Sequence, residues 1–152
     1  MSRLKKKCGS HKLSKDVATN YKCGNSEEYV LISFAFVTEN KKYNFDYFRD
    51  SMHREEIAAR RSLDRLLNEL SINTWLALGQ RSKYQIGGFE KIPCDSCNNS
   101  IFNKFPVSPD SNIYSFRFGD GDSYRMIGIK PTNCHRINIL GYDFDHSAYN
   151  HG

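Results

Sequence analysis

Apolar positions along this chain of 152 residues recur with two periods, and the change of period marks the elements. The run YVLISFAFV, Tyr29 to Val37, is dense in β-branched and aromatic residues and predicts a buried strand. Thr38 to Lys41 reads as a turn and Lys42 to Asp46 as the returning strand of a hairpin. The period then lengthens. Ala59, Leu63, Leu66, Leu67 and Leu70 fall at three- and four-residue steps, one apolar stripe on a helix. Asp50 or Ser51 can cap it, and Glu55 and Glu56 suit the positive end of its dipole. Ser71 to Thr74 offers a second cap, and Trp75, Leu76 and Leu78 predict a short second helix closing near Gly79.

From Gln80 to Asp110 no period holds. Gly87, Gly88, Pro93, Pro106 and Pro109 punctuate the segment, which reads as a long irregular connection. Short strand-like runs return in NIYSFRF (Asn112 to Phe118), SYRMIGI (Ser123 to Ile129) and HRINILGY (His135 to Tyr142), separated by Gly119 to Asp122 and Pro131 to Asn133. These predict a three-stranded antiparallel meander with Gly, Pro and Asn turns. The expected fold is therefore α+β: an N-terminal strand or hairpin, two helices, then the meander. Residues 28–152 form a single domain in this reading, preceded by a flexible basic tail over 1–27.

Charge sharpens that division. The net charge is +5, but residues 1–22 hold seven Lys or Arg, among them Lys5, Lys6 and Lys7, against Asp16 alone. The other fifteen basic residues face sixteen acidic ones, so the body is nearly neutral. A basic tail engages phosphate backbones through counterion release or simply keeps a terminus solvated. On the first helix Arg54, Arg60, Arg61 and Arg65 alternate with Glu55, Glu56 and Asp64, a mixture expected of an ion-paired, solvated face. An apolar fraction of 39% and a mean hydropathy of −0.64 fit a water-soluble chain. No apolar run approaches the roughly 20 residues of a membrane helix, so no membrane partner is expected. The lysine-rich start lacks the apolar segment of a secretory signal, and five cysteines, an odd number, fit reduced thiols in a cytoplasm.

Two groups of residues could carry chemistry. Cys94 and Cys97 have the spacing of half a zinc knuckle, but the remaining ligands would have to come from Cys8, His11 or Cys23, some seventy residues away. Free thiols are the favoured reading, with no cofactor. The second group follows the meander. Arg117, Arg125 and Arg136 lie one per strand, and the last strand runs out through Asp143, Asp145, His146 and Tyr149. Strict alternation puts Arg136, Asn138, Leu140, Tyr142, Phe144 and His146 on one face, with His135, Ile137, Ile139, Asp143 and Asp145 on the other. Arginines on a sheet could hold a phosphodiester while His, Tyr or Asp moves protons. Ordinary ion pairing with Asp120, Asp122, Asp143 and Asp145 is the competing reading.

The element order, the run YRMIGI from Tyr124 to Ile129, and a last strand ending in Asp145, His146 and Tyr149 resemble the RelE/ParE-like toxin superfamily. That resemblance implies a cytoplasmic toxin with an antitoxin partner, acting on RNA at the ribosome as a metal-independent endoribonuclease in which the ribose 2'-OH attacks the neighbouring phosphorus. It implies Arg125 as the phosphate-stabilising group and His146 or Tyr149 as the proton-transfer group. Arg117, Arg136 and Lys130 would contact substrate. The alternative is a non-catalytic plasmid- or phage-encoded protein that binds nucleic acid or a nucleoprotein.

Overall fold

A computed structural model describes residues 29–49, 53–102, 105–132 and 134–150. It is an α+β fold built on one five-stranded mixed sheet. Strand β1 (Leu31–Ser33) is followed by helix α1 (His53–Ser71), the one-turn helix α2 (Trp75–Gly79), and strands β2 (Phe89–Pro93), β3 (Asn112–Phe118), β4 (Tyr124–Ile129) and β5 (Arg136–Asp143). The sheet order is β1-β5-β4-β3-β2. β2 through β5 form an antiparallel meander, and β1 joins it parallel to β5, Ile32 lying opposite Ile137. A parallel neighbour requires a crossover, which α1, α2 and the meander itself supply.

Three expectations change. The meander has four strands, because Phe89 to Pro93 pairs with Phe116 to Asn112 inside the segment read as irregular. Five residues ending in proline are compatible with an edge strand, where proline removes no inner ladder bond. The first strand is three residues long, not nine. The hairpin does not form either. Lys41–Tyr43 and Phe45–Phe48 are 3-10 turns, started by Asn40 and Asn44, whose side-chain oxygens accept from the backbone N–H of Lys42 at 3.0 Å and Asp46 at 2.8 Å. Short polar side chains offering the backbone a local partner compete with strand pairing. Asp50, Ser51 and the 1–27 tail lie outside the described residues.

Both faces of the sheet are covered. On one, Ala59, Leu63, Leu66 and Leu70 of α1 pack with Phe116, Phe118, Met126, Ile137, Ile139, Tyr142 and Phe144. On the other, Tyr43, Cys94, Cys97, Ile101 and Phe102 from the 3-10 segments close over Ile113, Ile127, Ile129 and Leu140, together with Ala148 and Tyr149. Double coverage explains why β4 and β5 read as nearly continuous apolar runs: no side of them faces water.

A bulge breaks the strict alternation of β5. Ile127 lies opposite Gly141, but Gly128 lies opposite Ile139, leaving Leu140 as an extra residue. Ile137 and Ile139 before it, and Tyr142 and Phe144 after it, all join the α1 core. Leu140 joins the opposite core. The residues after the bulge thus swap the faces that strict alternation assigns them.

Gly141 lets the 3-10 layer come close. A Cβ there would stand 2.6 Å from the Tyr43 carbonyl oxygen, a backbone atom that no rotamer change moves aside. Gly141→Ala is expected to destabilise the protein by about 1 to 3 kcal/mol, read as a lower urea midpoint. An unchanged midpoint would show that the second layer is not fixed at this contact.

Candidate functional site

Arg125, in the middle of the predicted site, faces the second core and is only 5% exposed. Its Nη1 donates to the carbonyl oxygens of Asp122 and, at 2.9 Å, Tyr124. Across the strand pair it sits opposite Asp143, which is fully buried. Asp143 accepts backbone hydrogen bonds on both carboxylate oxygens, from Ser147 at 3.0 Å and Ala148 at 3.2 Å. Those bonds turn the chain back after β5. They deliver Tyr149 beneath the sheet, where its hydroxyl meets the Ser115 hydroxyl at 2.7 Å. Residues 97 and 149 form an antiparallel bridge, and Asn98 N–H donates to the Ala148 carbonyl at 2.7 Å. Burial pushes the Tyr149 phenol up, opposed by the Ser115 hydrogen bond and the Arg125 charge. Arg125, Asp143, Ser115 and Tyr149 are thus a buried polar node that fastens the chain's end to the sheet.

His146 lies in the turn between Asp143 and Ser147. It is exposed and takes a left-handed backbone conformation, φ 59°. Beside it, burial acts to raise Asp145, but the Ser147 hydroxyl and the Lys42 ammonium, 3.5 Å away, hold its carboxyl below the usual value.

The three arginines do not converge. Arg117 is directly opposite Arg125, but it donates to Glu90 at 2.8 Å and lies 4.6 Å from the centre of the Tyr84 ring. Burial works to raise Glu90, and the Arg117 hydrogen bond together with the Lys83 charge outweighs it. The partner of Arg117 is thus Glu90 rather than one of the aspartates the sequence suggests. Arg136 is exposed at the opposite end of β5 from Asp143, roughly 20 Å away at strand rise. Lys5, Lys6 and Lys7 lie outside the described residues.

Lys130 belongs to a different place. With Lys91 it lines an open cleft of about 660 Å³ at the end of the sheet, walled by Tyr114, Phe105, Asp110 and Asn112. Lys91 Nζ is 5.4 Å from the Tyr114 ring centre, and Lys130 Nζ is 5.6 Å from that of Trp75. Neither lysine forms an ion pair among the described residues, although Asp110 shares the cleft. Lys91 and Tyr114 escape sequence reasoning because their strand pairing, Lys91 opposite Tyr114, depends on the unrecognised β2.

Cys94 and Cys97 are buried free thiols in the second core. Cys97 donates to the Pro93 carbonyl at 3.4 Å, and burial with the neighbouring Cys94 and Asp95 charges pushes its thiol up to about 12. Among the described residues no three His, Cys, Asp or Glu side chains gather to hold a metal, and Cys8, His11 and Cys23 lie outside them. No described helix is long and apolar enough to cross a membrane. Comparison with known proteins finds no matching family model, curated protein or solved structure.

Two expectations follow from the buried groups. Tyr149→Phe leaves the Ser115 hydroxyl without its partner and is expected to cost about 1 to 3 kcal/mol, part of it recovered in Tyr149→Phe/Ser115→Ala. A fully additive double mutant would separate the two hydroxyls. The Cys97 thiol, raised from 9.0 to about 12, favours the fold while both states are protonated. Above pH 9 the unfolded thiol ionises first, so stability should fall with pH from about 9 toward 12. Urea midpoints between pH 8 and 11 should show this decline, and Cys97→Ala should flatten it.

Proposed function

We propose that this protein binds RNA, or a nucleoprotein containing it, without cleaving it, as an interaction protein of the plasmid or phage kind. One contrast carries the reading. Arg125 and Tyr149, the groups that would have to reach a scissile phosphate, are taken up by the buried node, whereas Lys91 and Lys130, at the wall of an open cleft, form no ion pair among the described residues. Phosphate affinity needs accessible cations, and the same cleft wall carries the aromatic side chain of Tyr114.

A RelE-like RNA-cleaving toxin, neutralised by an antitoxin, is the second reading, and His146 is the observation that favours it. An exposed non-glycine residue with positive φ is sterically costly, and such strain gathers at functional positions. In that case His146 moves the proton, and Arg125 acts by fixing the segment that presents it.

The two readings separate when the full chain is incubated with long single-stranded RNA, binding is titrated, and RNA ends are mapped. Binding with intact RNA is expected, with Lys91→Gln/Lys130→Gln reducing the log–log salt slope by about 0.7 per lysine. Cleavage that is lost in His146→Ala would favour the toxin instead. If no RNA is bound or cut, both fail.

A further inference from the structure

Only some of the mixed charges of α1 pair as their spacing suggests. Arg60 does pair with Glu56 at 2.8 Å and covers the Phe45 ring at 4.1 Å. Arg54, Arg61 and Arg65 are exposed and form no ion pair among the described residues. At 100° per residue these three occupy one flank of the helix, separate from the Ala59, Leu63, Leu66 and Leu70 stripe. At helical rise Arg54 and Arg61 are about 10.5 Å apart along the axis, and Arg61 and Arg65 about 6 Å.

That flank borders two adjoining clefts which share Arg65. One, of about 480 Å³, is lined by Ala58, Arg61, Arg65 and Asp120. The other, of about 220 Å³, continues from Arg65 past Ser62 and Gly119 to Arg117, with Asp122 in its wall. The two walls meet because Ser62 Oγ accepts from Gly119 N–H at 2.7 Å, pinning the β3–β4 turn to the helix. Asp120 and Asp122 face this groove, yet neither pairs with Arg61 or Arg65. Guanidinium groups along one helix flank, with no carboxylate partner among the described residues, suit a repeating anion, since each presents a fork of donors to phosphate oxygens.

We propose that the Arg54, Arg61 and Arg65 flank of α1 is a track for the phosphate backbone of an RNA strand whose other end lies in the Lys91 and Lys130 cleft. This rests on the RNA-binding reading above and extends it to a second surface. The two places stand at opposite ends of β3: Asn112 lines the lysine cleft and Gly119 the arginine groove. Seven residues of strand put them roughly 23 Å apart. A small anion occupies one or the other, whereas a strand reaches both. At 3.4 Å of rise per stacked nucleotide, about seven nucleotides are needed.

The test uses the full chain and fluorescent single-stranded RNAs of 4, 8, 12 and 16 nucleotides, chosen on the scale of that span. Wild type should gain affinity steeply between the 4-mer and the 12-mer and little thereafter. Arg54→Gln/Arg61→Gln/Arg65→Gln, exposed changes to a good helix former, should weaken 12-mer binding at least ten-fold and lower the salt slope by about 2, at roughly 0.7 per arginine. The same three positions as lysine should keep most of the slope. Lys41→Gln/Lys42→Gln/Arg49→Gln removes equal charge outside α1 and should change little.

If wild type binds RNA but the Gln triple variant keeps its affinity and slope, the track is wrong and the RNA-binding reading stands. The same holds if the control triple variant loses as much, since net charge alone would then explain binding. Equal affinity for 4-mer and 12-mer would also overturn the two-ended strand. Absence of RNA binding by wild type overturns the track and the reading together.

Discussion

Coverage of β4 and β5 on both faces is the constraint on which the rest of this structure depends. A strand with no solvent side gives little room for unpaired polar groups, so those that enter it draw on backbone and hydroxyl partners. Arg125, Asp143, Ser115 and Tyr149 do this with two backbone carbonyls, two backbone N–H groups and a hydroxyl pair, while Arg125 Nε and, on β5, Asn138 Oδ1 stay buried without a hydrogen-bond partner among the described residues. The α1 layer needs only a greasy stripe to cover its face. The opposite layer is made of short 3-10 turns with few apolar residues each, and it depends on close backbone approach at Gly141 and on the chain's end being tied down.

The bulge at Leu140 links that constraint to the site. Without the extra residue, Asp143 would share a face with Ile137 and Ile139 and point toward α1. With it, Asp143 stands opposite Arg125 and can receive the N–H groups of Ser147 and Ala148. A cluster that resembles acid–base machinery in sequence thereby becomes an anchoring device. Arg125 is buried opposite Asp143, with its Nη1 on the Asp122 and Tyr124 carbonyls, rather than on an open surface.

How much could be read from sequence varies with the range of the interaction involved. The α1 stripe and the three strands from Asn112 onward follow from local periodicity and are found where that periodicity puts them. β2 was hidden because Gly87, Gly88 and Pro93 flank a run too short to alternate visibly, and only its pairing with β3 makes it a strand. The expected hairpin gives way to 3-10 turns because the Asx turns of Asn40 and Asn44 outcompete the strand tendency of Tyr43 and Phe45. For the site, one arginine per strand was legible, but register was not. Register sets Arg117 against Arg125 and sends Arg136 to the far end. The pairing of Arg60 with Glu56 is visible as an i,i+4 spacing, whereas the lack of ion-pair partners at Arg54, Arg61 and Arg65 among the described residues depends on side-chain reach that no spacing rule supplies.

The position of β5 has a consequence for how the molecule is assembled. Among the described residues it is the last strand in sequence, yet it lies between β1 and β4 and is the sole sheet neighbour of β1. Until β5 arrives, the first strand has no ladder partner and β4 presents an apolar open edge, so the sheet cannot be closed by early, local contacts. Such long-range closure slows folding and leaves edges exposed for longer. Synthesis of this chain therefore passes through a stage in which most of the core residues are already made but the strand that organises them is still missing.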